Sequence, residues 1–260
     1  MISTSVAYRL LAKNLDRSLA TTASEKSVQT ATDYYLKNIG NVKSIDDFLK
    51  DTRLFKYAMK AFGLEEMDNA KAYMRKVLTE GVADKSSFAN RLNDQRFVQF
   101  ATAFNFAAGG ADATSRIAAT TDVVSRYVRQ TMEDEAGSDN EGVKLALYFQ
   151  REAPNITSAY GLLGDAALYK VVQTIFGFPE EMSNADIEQQ AKMVTDRLDV
   201  ADLKDPDKLA KLINRFTVMY DVTENTDSDP ILALFDSSSA ASSNSLDLIM
   251  TLNNLKHGGS

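Results

Sequence analysis

Apolar side chains recur along much of this chain every three to four residues, the spacing of one face of an α-helix. The pattern is sharpest after Ser44. Ser44 stands three residues before Asp47, an N-cap with an acid at the third helical position, and Phe48, Leu49 and Leu54 follow at helical spacing. Ser183 and Asp186 give the same signature ahead of Ile187 and Ala191. Asp205 before Pro206 reads as a cap followed by proline in the first turn, where the missing N–H costs nothing. Gly63 and Gly177 each follow an apolar run and suit the left-handed position past a helix end. Pro154, Pro179, Pro206 and Pro230 all fall where connections are expected. Alternating runs joined by two-residue hairpin turns are not evident. The pattern predicts an all-α, multihelical chain.

A repeat decides the architecture. Shifted by 114 positions, residues 34–66 align with 148–180 without a gap, with ten identities in 33 positions. Tyr34 meets Tyr148, Asn41 meets Asn155, Ser44 meets Ser158 and Leu49 meets Leu163. Asp51 meets Asp165, Leu54 meets Leu168, Lys56 meets Lys170, Phe62-Gly63 meets Phe176-Gly177 and Glu66 meets Glu180. After a short insertion, Val82-Ala83-Asp84 meets Val200-Ala201-Asp202, and Arg96-Phe97 meets Arg215-Phe216. The sequence therefore predicts two duplicated helical units packed together, at 1–110 and 111–221. Polar breaks are expected at 107–115 and 135–142. Residues 222–260 read as a Ser-rich linker and a C-terminal amphipathic segment. In that segment Leu246, Ile249, Met250 and Leu252 form a helix-like apolar stripe, the candidate partner-binding residues.

The duplicated apolar positions mark one buried face used twice. The duplicated Asp51 and Asp165 read as helix caps, in line with the preference of Asp for that position. Met59, Met67 and Met74 read as core filler.

Composition narrows the chemistry. The 260 residues are 44% hydrophobic and 25% charged, which fits a globular chain of one large or two smaller domains. Cysteine is absent and His257 is the sole histidine. That excludes disulfides, thiolate metal sites, a cysteine nucleophile and catalysis through an internal histidine. No glycine-rich phosphate loop or calcium-loop spacing is present. No catalytic, cofactor-binding or metal-ligating residue is therefore assigned, no cofactor is expected, and the chain is predicted not to be an enzyme. The weaker alternative, a hydrolase using carboxylates, would begin from Asp51, Asp94 and Asp165. Acids outnumber bases by 36 to 29, for a net charge of −7, so nucleic acid is not an expected partner. No apolar run reaches the roughly 18–20 residues that cross a bilayer. The N-terminus lacks the form of a cleavable signal peptide.

The run Leu49-Lys-Asp-Thr-Arg-Leu-Phe-Lys-Tyr-Ala-Met-Lys-Ala-Phe-Gly-Leu64, followed by Phe88–Phe97 and Ala103–Phe106, resembles a bacterial family of uncharacterised function. Its recurring elements are an acidic-start helix ending in Ala-Phe-Gly-Leu and an Arg-Leu-x-Asp-x-Arg-Phe/Tyr run, here Arg91 to Phe97. Ile175–Phe178 and Asn214–Phe216 stand in for them in the second copy, which departs from the pattern at Gly164 and Pro179. Members are often encoded among flagellar genes. The resemblance thus implies a structural or assembly role in the flagellum through helix-mediated contact with protein partners, flagellar components among them. It allows an oligomer, and a chain that is cytoplasmic or exported to the flagellum without a cleavable signal. A cytoplasmic adaptor or export partner is the alternative.

Overall fold

The computed structural model describes residues 2–223. The candidate residues Leu246, Ile249, Met250 and Leu252 lie outside them. Among the described residues the fold is all-α, with short stretches of tighter helix in some of the connections. The chain opens with α1 (Thr4–Lys13), α2 (Leu15–Ser24) and α3 (Lys26–Ile39). Shorter helices follow: α4 (Ile45–Lys50), α5 (Thr52–Ala61), α6 (Lys71–Glu80), α7 (Phe88–Arg91), α8 (Gln95–Ala103) and α9 (Phe106–Gly109). Next come α10 (Thr121–Asp139) and α11 (Glu141–Glu152), then α12 (Ala159–Leu163), α13 (Ala166–Phe176), α14 (Ile187–Thr195) and α15 (Pro206–Thr223).

Local chemistry sets the helix ends. Ser44 Oγ accepts from the Asp47 amide at 3.1 Å and starts α4. Asp205 Oδ1 accepts from the amides of Asp207 and Lys208 and starts α15, with Pro206 in its first turn. Gly63 and Gly177 have φ of +65° and +63°, the left-handed conformation that lets the chain turn away from α5 and α13. Two expectations shift. Ser183 is drawn into the turn Glu180–Asn184, so Asp186 is the residue that caps α14, through the Glu188 amide. The polar stretch 135–142 is also mostly helical. α10 runs through Gly137 and ends only at Asn140, which caps α11. Gly137 allows α10 and α11 to lie close, since a Cβ there would sit 2.7 Å from Lys144 Cδ.

Burial gathers into two main cores. The first is aromatic: Phe48 packs on Phe104 with ring centroids 4.7 Å apart, Phe100 on Phe104 at 4.9 Å and Phe62 on Phe100 at 5.4 Å. It takes in Met59, Met74 and the buried Tyr35, whose hydroxyl donates to the Ala119 carbonyl. It also extends past residue 110, to Ala113, Ala119 and Val123. The second core runs from Leu145 to Phe216 and is mostly aliphatic. α1 packs on this second core through Tyr8, not on the first. Ala7, Leu11, Leu15 and Leu19 close a smaller cluster over Met132, Val143 and Leu147, where α10 and α11 meet.

The two ends of the described chain are thereby joined. Asp221 on α15 accepts from the amides of Thr4 at 2.8 Å and Ser5 at 3.4 Å, so a side chain from the last described helix caps α1. Arg9 donates to Asn214 at 3.3 Å. These contacts lay α1 antiparallel along α15.

Candidate functional site

Asp51 and Asp165 perform the same local task. Each caps a helix, Asp51 through the amides of Arg53 and Leu54, Asp165 through those of Ala167 and Leu168. Each also accepts from a tyrosine hydroxyl two helices before the one it caps, Tyr34 of α3 at 3.0 Å and Tyr148 of α11 in the second instance. Their surroundings differ. Asp51 and Tyr34 are half-buried, with the Arg53 guanidinium over the Tyr34 ring. Asp165 is buried beside Arg96, whose Nε lies 3.8 Å from Oδ2.

Arg96 gathers the seam between the two cores. It holds Asp94 through Nε and Nη2 at 2.9–3.1 Å, pairs with Glu66 at 3.1 Å and donates to the Gly63 carbonyl. Asp94 also caps α8 through the Arg96 amide. Burial works against the Arg96 charge, but the hydrogen bonds and charge of Asp94 outweigh it and hold the guanidinium above its ordinary value. Burial, reinforced by Asp165, pushes the Tyr148 phenol up. Of the three carboxylates first considered for hydrolysis, Asp94 and Asp165 are thus brought to one arginine, and Asp51 is not. Both members of the pair accept from backbone amides and face the Arg96 guanidinium, so their oxygens are taken up by helix caps and ion pairs in a structural joint.

A second buried set continues the seam. Glu133, fully buried on α10, accepts from Arg129 Nε at 2.6 Å and from Arg151 Nε and Nη2 at 3.0 and 2.7 Å. Arg151 also pairs with Glu152 at 2.6 Å and donates to Gln130 at 2.9 Å. Glu152 accepts from Gln99 on α8, and Gln99 accepts from Arg126 on α10. Burial opposes the Arg151 charge, and Glu133 overrides it, so this guanidinium too is held above its ordinary value. Sequence reading missed this set. Arg129 and Glu133 stand at the i, i+4 spacing of one helix, a signal visible in the sequence, but the other members come from α8 and α11 and no spacing relates those to them.

Two surfaces remain as binding candidates. One is a groove of about 610 Å³ that includes Arg53, Lys56, Lys60 and Tyr57 of α5 together with Tyr127. Two of its cations are already paired, Lys56 with Asp68 at 3.7 Å and Lys60 with Asp134 at 3.1 Å. The other is apolar and sits on the joined chain ends. Ile2, Val6 and Leu10 are exposed at the start of the chain, and Val218 and Val222 on α15, from 48% for Val218 to 66% for Ile2. Spacing by four puts Val6 and Leu10 on one face of α1 and Val218 and Val222 on one face of α15; Ile2 precedes α1. The residues that join the helices, Ser5 and Arg9 on one side and Asn214 and Asp221 on the other, fix which face looks outward. Turning about 100° per residue from that contact carries Val6, Leu10, Val218 and Val222 to the same outer side, as an apolar stripe across both helices. Among the described residues, no group of three or more His, Asp or Glu is placed to hold a metal ion, and no helix is long and apolar enough to cross a membrane.

The family described as "Protein of unknown function (DUF1217)" matches residues 61–209, which takes in most of the first core, the seam and most of the second core. No curated protein matches the chain. Among solved structures, the crystal structure of Protein AGR_C_984 from Agrobacterium tumefaciens, a structural-genomics target, is similar. It is 45% identical, with a TM-score of 0.78 over 86% of this chain and 97% of that one.

Proposed function

The chain belongs to the DUF1217 family of proteins of unknown function, and from that premise we propose that it is a non-enzymatic component of flagellar assembly that works by helix-mediated contact with other proteins. The observation that carries the reading is the apolar stripe of Ile2, Val6, Leu10, Val218 and Val222, formed where the first and last described helices pair. Exposed large apolar side chains gathered on one side of a helix pair support an interaction surface. The engagement of Asp51, Asp94 and Asp165 as helix caps supports the absence of catalysis. The flagellar setting rests on the resemblance carried by Leu49–Leu64 and Phe88–Phe106.

The test is genetic. Deleting the gene is expected to abolish swimming in soft agar, and the wild-type gene to restore it. Leu10→Lys is expected not to restore it, although a lysine in the last turn of α1 suits the helix dipole and keeps folding stability within about 0.5 kcal/mol. Undiminished swimming in the deletion strain overturns the flagellar setting. Restoration by Leu10→Lys removes the stripe from the function. Appearance of the protein in the culture fluid, lost when the export apparatus is deleted, assigns it to the exported structure; retention in the cytoplasm assigns it to an accessory or export role.

A further inference from the structure

We propose that the outward face of α1 and α15 docks a partner's amphipathic helix whose apolar side runs into aspartate or glutamate at one end. The inference rests on reading this face as a contact surface and names the chemistry of what it contacts.

The sequence sets the face. On α15, Lys211, Arg215, Val218 and Val222 follow one another at spacings of four, three and four residues, so they share one side of the helix. On α1, Val6, Leu10 and Lys13 repeat the spacing of four and three. All of these side chains are exposed. Thr4 and Ser5 reach Asp221, and Arg9 reaches Asn214, an antiparallel register that sets Val6 level with Val218 and Lys13 level with Lys211. The apolar residues of the two helices therefore fall at one end of the face and the cations at the other.

The cationic end lacks its counter-charge. Lys13, Lys211 and Arg215 form no ion pair with a carboxylate among the described residues, and Arg215 lies 5.7 Å from the centre of the Phe176 ring. Elsewhere Lys56, Lys60, Lys144, Lys192 and Lys208 are each paired with an aspartate. Lys13 and Lys211, held level on neighbouring helices, repel each other, and a carboxylate brought between them removes the repulsion. Arg215 offers a planar fork that takes a second carboxylate on two N–H groups.

The spacing selects a helix as the occupant. A third helix lying in the furrow between two packed helices presents its own residues at the same alternation of three and four to both. Val222 and Lys211 are eleven residues apart, about 16.5 Å of rise or three turns. Two turns of the partner meet Val6, Leu10, Val218 and Val222, and the third meets the cations. An anionic bilayer fits less well. The chain carries a net charge of −7, and basic clusters that hold such surfaces gather about four to eight cations where this face has three.

Two labelled synthetic helices test this by fluorescence anisotropy against the full chain. Both carry leucine at the contact positions of two turns. In the third turn one carries glutamate at those positions and the other lysine. The glutamate peptide is expected to bind at least about tenfold more tightly than the lysine peptide, and to weaken several-fold as salt is raised. Lys13→Glu/Lys211→Glu in the full chain is expected to reverse the preference. Loss of folding cannot reverse a preference, so this readout belongs to the charges. Equal binding of both peptides, an unreversed preference, or no binding of the glutamate peptide overturns the proposal. Flotation of the protein with phosphatidylglycerol vesicles in place of peptide binding assigns the face to a lipid surface and overturns it too. The contact face itself is judged separately. If Leu10→Lys fails to restore swimming while Lys13→Glu/Lys211→Glu restores it, the face stands and its charge preference falls.

Discussion

At the scale of residues, Asp51 and Asp165 show how one local task acquires two energetic meanings. Each carboxylate satisfies two amides at the start of a helix, a contact that typically contributes about 1 kcal/mol. Asp51 also receives the Tyr34 hydroxyl, but both are half-buried, and among the described residues no cation is paired with it. Asp165 also receives the Tyr148 hydroxyl and the Arg96 charge in a buried seam. Removing it strands a buried phenol and weakens the pairing of a buried cation. Asp51→Ala is therefore expected to lower unfolding free energy by about 1 kcal/mol, and Asp165→Ala by roughly 3 kcal/mol or more. Urea denaturation of the two variants checks this, and equal losses would remove the seam from the account. The capping role was legible in sequence, because Asp at that position has a short-range reason. The difference between the two sites was not, because it depends on what packs against each cap.

At the scale of elements, Gly164 explains a departure between the two segments that align in sequence. Its counterpart at the same shift is Lys50. Gly164 has an ordinary φ of −73°, so the glycine is not there for backbone freedom. It is there for space: a Cβ would lie 2.7 Å from the Asn93 carbonyl oxygen and 2.9 Å from its carbon. Asn93 adopts a left-handed φ of +55° just before Asp94 enters the seam. The turn between α12 and α13 thus abuts the turn between α7 and α8, backbone against backbone. Gly164→Ala is expected to cost about 1–3 kcal/mol through overpacking against groups that cannot rotate away. Lys50→Gly, on an exposed position, is expected to cost about 1 kcal/mol or less, the helix-propensity difference alone. Thermal unfolding of the two variants compares them, and a harmless Gly164→Ala would contradict the close approach. Helix existence and many ends were visible in the sequence. The tight turn at 180–184, which moved the cap of α14 from Ser183 to Asp186, was not.

At the scale of the whole molecule, the halves are joined by charge in one place and by chain ends in another. Glu133 is fully buried and receives two arginines, Arg129 and Arg151. Breaking such a set by removing one partner leaves uncompensated charge in the interior. Glu133→Ala is expected to destabilise the protein by roughly 3–5 kcal/mol. Chemical denaturation followed by circular dichroism measures it; a loss below about 1 kcal/mol, the range of exposed pairs, would mean that water reaches the seam. The first core also draws on Val123 of α10, and the second on Tyr8 of α1. Packing therefore crosses the boundary near residue 110 that the repeat suggested.

The sequence by itself determined what short-range physics controls. Helical periodicity made the chain all-α, Asp, Ser, Pro and Gly marked many helix ends, and repeated residues announced that Asp51 and Asp165 would do the same job. Only the tertiary structure decided which distant residues meet. It brought Asp94 and Asp165 to Arg96, buried Glu133 between two arginines, and used Asp221 of the last described helix to cap the first. It also left Val6, Leu10, Val218 and Val222 facing outward together. A hydrophobic pattern records that a helix has an apolar face. Which part of that face is covered depends on the neighbours that arrive from elsewhere in the chain, and no local spacing encodes them.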